Sequence, residues 1–119
     1  MKQKFRMIVK QHISYGHRLK LPYESPCKRM HGHNSEVTVV IEGTKLDNYG
    51  MIIDFSKVKE IIKKYDHVFL NDFMDENTTA ENISKRIYND IRKHIGKEYK
   101  LIVEFPETEN NIIQYGDLE

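Results

Sequence analysis

A single cysteine among 119 residues leaves Cys27 without a partner for an internal disulfide, so no covalent staple supports the fold. No stretch is apolar for long enough to span a membrane. Residues 1–6 run straight into an alternating pattern without an apolar signal core, which argues against secretion and for a soluble, cytoplasmic protein. The formal net charge is only +1, far short of the basic excess that general nucleic-acid binding needs. Repeats of solenoid length, low-complexity tracts and linkers are also missing, so residues 1–119 read as one domain. With 39% hydrophobic and 31% charged residues, the chain has the balance of a domain with one core.

What is there is strongly periodic. Residues 4–13 alternate Phe5, Met7 and Val9 against Arg6, Ile8 and Lys10, the pattern of a strand with one apolar face whose far end delivers His17. Residues 20–30, with Pro22 and Pro26, read as a loop carrying Cys27. A second strand continues through residues 36–41 and ends near Gly43. Beyond a turn-rich connection, Asp54 or Ser56 can cap a helix whose Phe55, Val58, Ile61, Ile62 and Tyr65 recur at helical spacing. Thr78 to Glu81 has the form of a capping box, and Ile83, Ile87, Ile91 and Ile95 follow every four residues until Gly96 stops the helix. Residues 99–105 read as a third strand and 111–115 as a fourth paired with it. The order ββααββ predicts an α+β fold, a four-stranded antiparallel sheet with two helices on one face. The other face carries Ile8, Val40 and Ile102 among polar residues with no cover in the chain, which predicts an oligomer.

Chemistry concentrates in Cys27 to Asn34. His31 and His33 are two apart, so on a strand both imidazoles leave from one face, the face that also carries Val37, Val39 and Ile41. Gly32 between them leaves room for another backbone or a substrate. With His17 they make three imidazoles and an open fourth position, the pattern of catalytic zinc; the alternative is that His17 and His33 are solvent-facing strand ends. Cys27 is a reactive thiolate if a metal or cation lowers its pKa, or else a small apolar residue; Lys28 and Arg29 read as a solvated loop pair. Asp66 and His67 have the chemistry of an orienter and a base, yet neighbouring side chains diverge, so their direct pairing requires irregular backbone. The alternative is a histidine held by a helix C-terminus, the class to which His94 and His12 are assigned. Glu107 is either a clamp for a guanidine-like edge or a surface turn acid.

On these residues the chain resembles the 6-pyruvoyltetrahydropterin synthase and 6-carboxytetrahydropterin synthase family nearly end to end. The matching elements, in order, are Gly16 to Leu19, Cys27 to Asn34, Gly50 to Phe55, Asp66 to Asn71, Thr79 to Asn82, and Glu107-Thr108 with Tyr115. The resemblance implies a tunnelling fold, in which sheets of neighbouring subunits join into a barrel with paired helices outside, as a homohexamer of two stacked trimers. It implies Zn2+ on His17, His31 and His33, Cys27 as general base, and Asp66 and His67 relaying protons from an adjacent subunit. Glu107 would anchor the pterin, Thr79 would line its pocket, and the substrate would be 7,8-dihydroneopterin triphosphate. The three residues between Cys27 and His31 resemble the carboxy-forming members of the queuosine pathway, whose product is 6-carboxy-5,6,7,8-tetrahydropterin with release of triphosphate and acetaldehyde. The alternatives are the sister synthase, which retains the side chain as a pyruvoyl group, and a non-enzymatic zinc or pterin scaffold. The family's usual Phe and Ala ahead of the first ligand are absent from Ile13 to Gly16, where Tyr15 stands, and a proline often found before the Thr-Ala-Glu-Asn element is Thr78.

Overall fold

A long hairpin carries the architecture. In the computed structural model, which describes residues 3–119, β1 (Phe5–His17) and β2 (His31–Gly43) pair antiparallel from Phe5↔Gly43 to His17↔His31. Met1 and Lys2, part of the N-terminal stretch read above, lie outside the described residues. The alternating residues Met7, Val9, Ile13 and Tyr15 of β1 and Val37, Val39 and Ile41 of β2 are buried on one face. Each fully buried aliphatic side chain there contributes about 1.5–3 kcal/mol relative to exposure. β4 (Lys100–Thr108) joins β2, again antiparallel, and adds Leu101, Val103 and Phe105 to the same layer, and β5 (Asn111–Gly116) closes that edge.

Two helices cover this layer. Asp54 caps α1 (Phe55–Lys63), its carboxylate accepting the Ser56 amide at 2.9 Å, and Val58, Ile61, Ile62 and Tyr65 face the core. α2 (Ala80–Arg92) turns Ile83, Ile87 and Ile91 inward. Its cap is Thr79, which accepts the Asn82 amide at 3.2 Å, one residue later than the expected box from Thr78 to Glu81. Thr78 is unavailable because it is buried against the end of β1, donating its hydroxyl to the Arg18 carbonyl at 3.0 Å. The helix ends at Arg92, before Ile95 and Gly96; the Arg92 guanidinium donates to the carbonyls of Gly96 and Tyr99, both at 2.9 Å.

The α+β class holds, and the sheet differs from the expected one in a single respect. It has five strands, ordered β3-β1-β2-β4-β5, because β3 (Val68–Phe69) lies parallel beside Tyr15 and Gly16 of β1. Two residues are too few to show a period of two in the sequence. Phe5 and Phe55, expected among the apolar positions, are 54% and 60% exposed, Phe5 at the start of β1 and Phe55 at the start of α1. On the uncovered face Ile8, Val40 and Ile102 line up in register, with Ile8 53% exposed, flanked by the pairs Arg6–Glu42 at 2.7 Å and His12–Glu36 at 3.0 Å.

Candidate metal centre and its cleft

The hairpin register decides the site. His17 and His31 are direct cross-strand partners at its end, and His33 faces Tyr15 one step in, so three imidazoles leave the covered face together. Ring centroids are 4.5 Å apart for His17–His31, 4.9 Å for His31–His33 and 5.1 Å for His17–His33. One nitrogen from each lies within 4.8 Å of the others, the one such cluster among the described residues.

The strand end is held by side chains that imitate a ladder. The Asn71 amide accepts the Arg18 N–H and donates to the Arg18 carbonyl, and Asn77 does the same at Lys20, all four contacts at 2.9 Å. The Thr78 carbonyl then accepts from His17 Nδ1 at 2.8 Å, and the Arg29 carbonyl accepts from His31 Nδ1 at 2.7 Å. These bonds fix both tautomers with a lone pair on Nε2, the arrangement that supports metal ligation. His17 is fully buried, and Nε2 of His17 and of His33 are buried without a hydrogen-bond partner. Burial holds both imidazoles below the ordinary histidine pKa, which favours their neutral form, the form that can ligate a metal. Converging neutral nitrogens without protein partners fit a metal ion.

Glu107 completes the inner wall. The β4–β5 register slips between Pro106 and Thr108, and a bulge there re-aims the intervening side chain. Its carboxylate oxygens lie 3.9 Å from His17 Nε2 and 4.0 Å from His33 Nε2, too far for hydrogen bonds, and it is not a member of the ligand cluster. Tyr15, His31, His33, Asn34, His67 and Glu107 line a cleft of about 900 Å³. Glu107 also borders a second cavity of about 500 Å³ with Leu19, Thr79 and Asn111.

Asp66 and His67 do pair directly, Nδ1 to Oδ2 at 2.9 Å, and irregular backbone makes it possible: His67 has φ 55, among the described residues the one positive φ outside glycine. Ser14 clamps the hook, its amide donating to Asp66 at 2.7 Å and its carbonyl accepting the His67 N–H at 2.6 Å. The Ser14 amide, with the help of His67 and against a small effect of burial, holds the Asp66 carboxyl below the usual carboxylate range. Cys27 is half-buried in a 3-10 turn, Pro26–Lys28, its carbonyl accepting the Leu19 amide at 2.7 Å, and it does not line the cleft. Thr78, Asn71 and Asn77, which hold the imidazoles in place, were not foreseen as site residues; Asn71 lies within a matched element and Thr78 was read as a helix cap, while Asn77 carried no signal.

Residues 6–117 match the 6-pyruvoyl tetrahydropterin synthase family. The chain belongs to this family. It is 30% identical over 99 residues to 6-carboxy-5,6,7,8-tetrahydropterin synthase of Bacillus subtilis, covering 76% of this chain and 68% of that one. A dihydroneopterin monophosphate aldolase of Pyrococcus furiosus is 34% identical over 102 residues, covering 82% and 84%. The fold is that of 6-pyruvoyl tetrahydropterin synthase from Caenorhabditis elegans, with TM-score 0.76 at 22% identity over 96% of each chain. The tetrahydropterin synthases are lyases, and this member is an enzyme of that family. Among the described residues no helix is long and apolar enough to cross a membrane.

Proposed function

We propose that this chain is a zinc-dependent lyase converting 7,8-dihydroneopterin triphosphate to 6-carboxy-5,6,7,8-tetrahydropterin, with release of triphosphate and acetaldehyde. The observation that carries this reading is the convergence of three imidazoles, two with buried and unpaired ring nitrogens, beside a cleft that the bulge-set Glu107 lines. The name of the Bacillus subtilis relative supplies the product, and the motif resemblance supplies the substrate class.

His17, His31 and His33 would hold Zn2+, which would supply Lewis acidity toward a substrate hydroxyl. Glu107 accepts the N–H edge of the pterin through both oxygens, with Thr79 beside it on the second cavity. His67, steadied by Asp66, turns toward the cleft as a group that takes or returns a proton. Cys27 is the general base. Because it does not line the cleft of its own chain whereas His67 does, the site is read as completed between copies, Cys27 of one facing His67 of the next. The uncovered sheet face is in keeping with the barrel of a homohexamer.

A second reading has one observation in its favour, the aldolase name of the Pyrococcus furiosus relative. Both reactions break the bond between the first and second side-chain carbons; on a monophosphate, a retro-aldol step leaves the phosphate on the two-carbon aldehyde. The test is to incubate zinc-loaded protein with dihydroneopterin triphosphate and, separately, the monophosphate, reading products by mass and by an acetaldehyde assay. Acetaldehyde, free triphosphate and a carboxyl on the ring are expected. A phosphorylated two-carbon aldehyde selects the second reading, and a product that keeps all three side-chain carbons belongs to the sister synthase and overturns both.

A further inference from the structure

Tyr15 takes no part in the chemistry above, yet it lies at the centre of the site. It is 4% exposed, its ring edge-on to His17 at 5.2 Å and tilted against His33 at 5.6 Å and Phe105 at 5.8 Å. Its backbone is fixed from both sides, by His33 across β2 and by Val68 along β3. The hydroxyl is buried and has no hydrogen-bond partner.

Four buried side-chain polar atoms lack a partner among the described residues, and His17 Nε2, His33 Nε2 and Tyr15 Oη are three of them. Metal ligation accounts for the two nitrogens and leaves the hydroxyl unexplained. Phenylalanine would fill the same space without stranding a polar group, so an orphaned hydroxyl here is destabilising unless a ligand uses it. The phenol O–H is a hydrogen-bond donor near pH 7.

We propose that Tyr15 determines specificity, its hydroxyl donating a hydrogen bond to an acceptor atom of the heterocycle that Glu107 holds. The inference rests on the pterin reading. Glu107 and Tyr15 both line the cleft. The inner end of the cleft then offers a carboxylate that accepts two N–H bonds beside one O–H donor. A planar 2-amino-4-oxo heterocycle is the complement, since it sets N–H donors beside ring-nitrogen and carbonyl acceptors. A site built this way rejects rings that lack the matching acceptor, because the phenol is then left unpaired.

The test uses Tyr15→Phe, which keeps the ring and deletes the hydroxyl, with the zinc-loaded protein and pterin itself, the ring without a side chain, as probe. Calorimetric titration should show binding weakened about five- to tenfold. The ligand-free variant should melt a few degrees higher than the parent, having lost an unpaired buried hydroxyl. Equal affinity for the two proteins overturns the inference and leaves the pterin reading standing, whereas a parent protein that binds no pterin overturns both. A lower melting temperature for ligand-free Tyr15→Phe would mean that the hydroxyl already has a partner, and that too would overturn it.

Discussion

Two polar clusters at opposite ends of β4 treat hydrogen bonding in opposite ways. At the Leu101 end, Asp117 accepts from Arg92 at 2.6 Å, from the Leu101 amide at 2.9 Å and from the Tyr88 hydroxyl at 3.0 Å, while Arg92 donates onward to two carbonyls. At the Glu107 end, Nε2 of His17 and of His33 and the Tyr15 hydroxyl are buried with no partner among the described residues. The first arrangement is complete, so it can only stabilise. The second is left open, which is costly in the free protein and useful only when something binds.

The largest effect should come from removing a ligand at the open end. His33→Ala should reduce bound zinc, measured by elemental analysis, from about one per chain to near zero. Turnover should fall by more than about 100-fold, the upper end for losing a mere supporting partner of a ligand. The apo protein should remain folded, because His33 is only partly buried and takes part in no side-chain hydrogen bond. Retained metal in a folded His33→Ala protein would refute the triad.

At the closed end the expectation reverses. Asp117→Ala leaves the Leu101 amide without its acceptor and removes one bond each from Arg92 and the Tyr88 hydroxyl, and should destabilise the fold by about 1–2 kcal/mol, moderated by the exposure of the carboxylate. Denaturant titration reads that loss, and turnover per folded molecule should be unchanged. A loss of metal in this variant would erase the contrast between the two ends.

The smallest effect concerns the hook between them. The folded pKa of Asp66 lies below its ordinary value, so its stabilising contribution is full above that value and is lost as the pH falls through the lowered one. Asp66→Asn should therefore melt about 1–3 °C lower than the parent at neutral pH. The gap should close in acid. A gap that widens as the pH falls would give Asp66 the wrong sign.

What the sequence made legible follows from how local each signal is. The shared face of His31, His33 and the apolar residues of β2 was readable because strand parity is strict. The cap of α2 was not, since Thr78 and Thr79 have the same cap chemistry; the Thr78 hydroxyl is taken by the Arg18 carbonyl, from 60 positions away, which leaves Thr79 to cap. The pairing of Asp66 with His67 was readable only as a condition, that the backbone be irregular, and the left-handed φ of His67 meets it. Phe5 and Phe55 show that periodicity gives the phase of a face and not how far its cover extends. Cys27 stands four residues before His31, yet the turn it occupies keeps it off the cleft wall.

The bulge at Glu107 has a further meaning when ligands and selectors are compared by where they sit in the chain. His17, His31 and His33 all belong to one hairpin, local in sequence and fixed by a single register. Thr79 opens a helix and Glu107 interrupts a different strand pair, both remote from that hairpin. The proposed metal set and the proposed anchors Thr79 and Glu107 are thus separable parts of one site, and Tyr15 is the one proposed selector that shares the hairpin. Changes at the helix N-terminus or in the bulge can redirect what the cleft accepts while the hairpin continues to present the same three nitrogens.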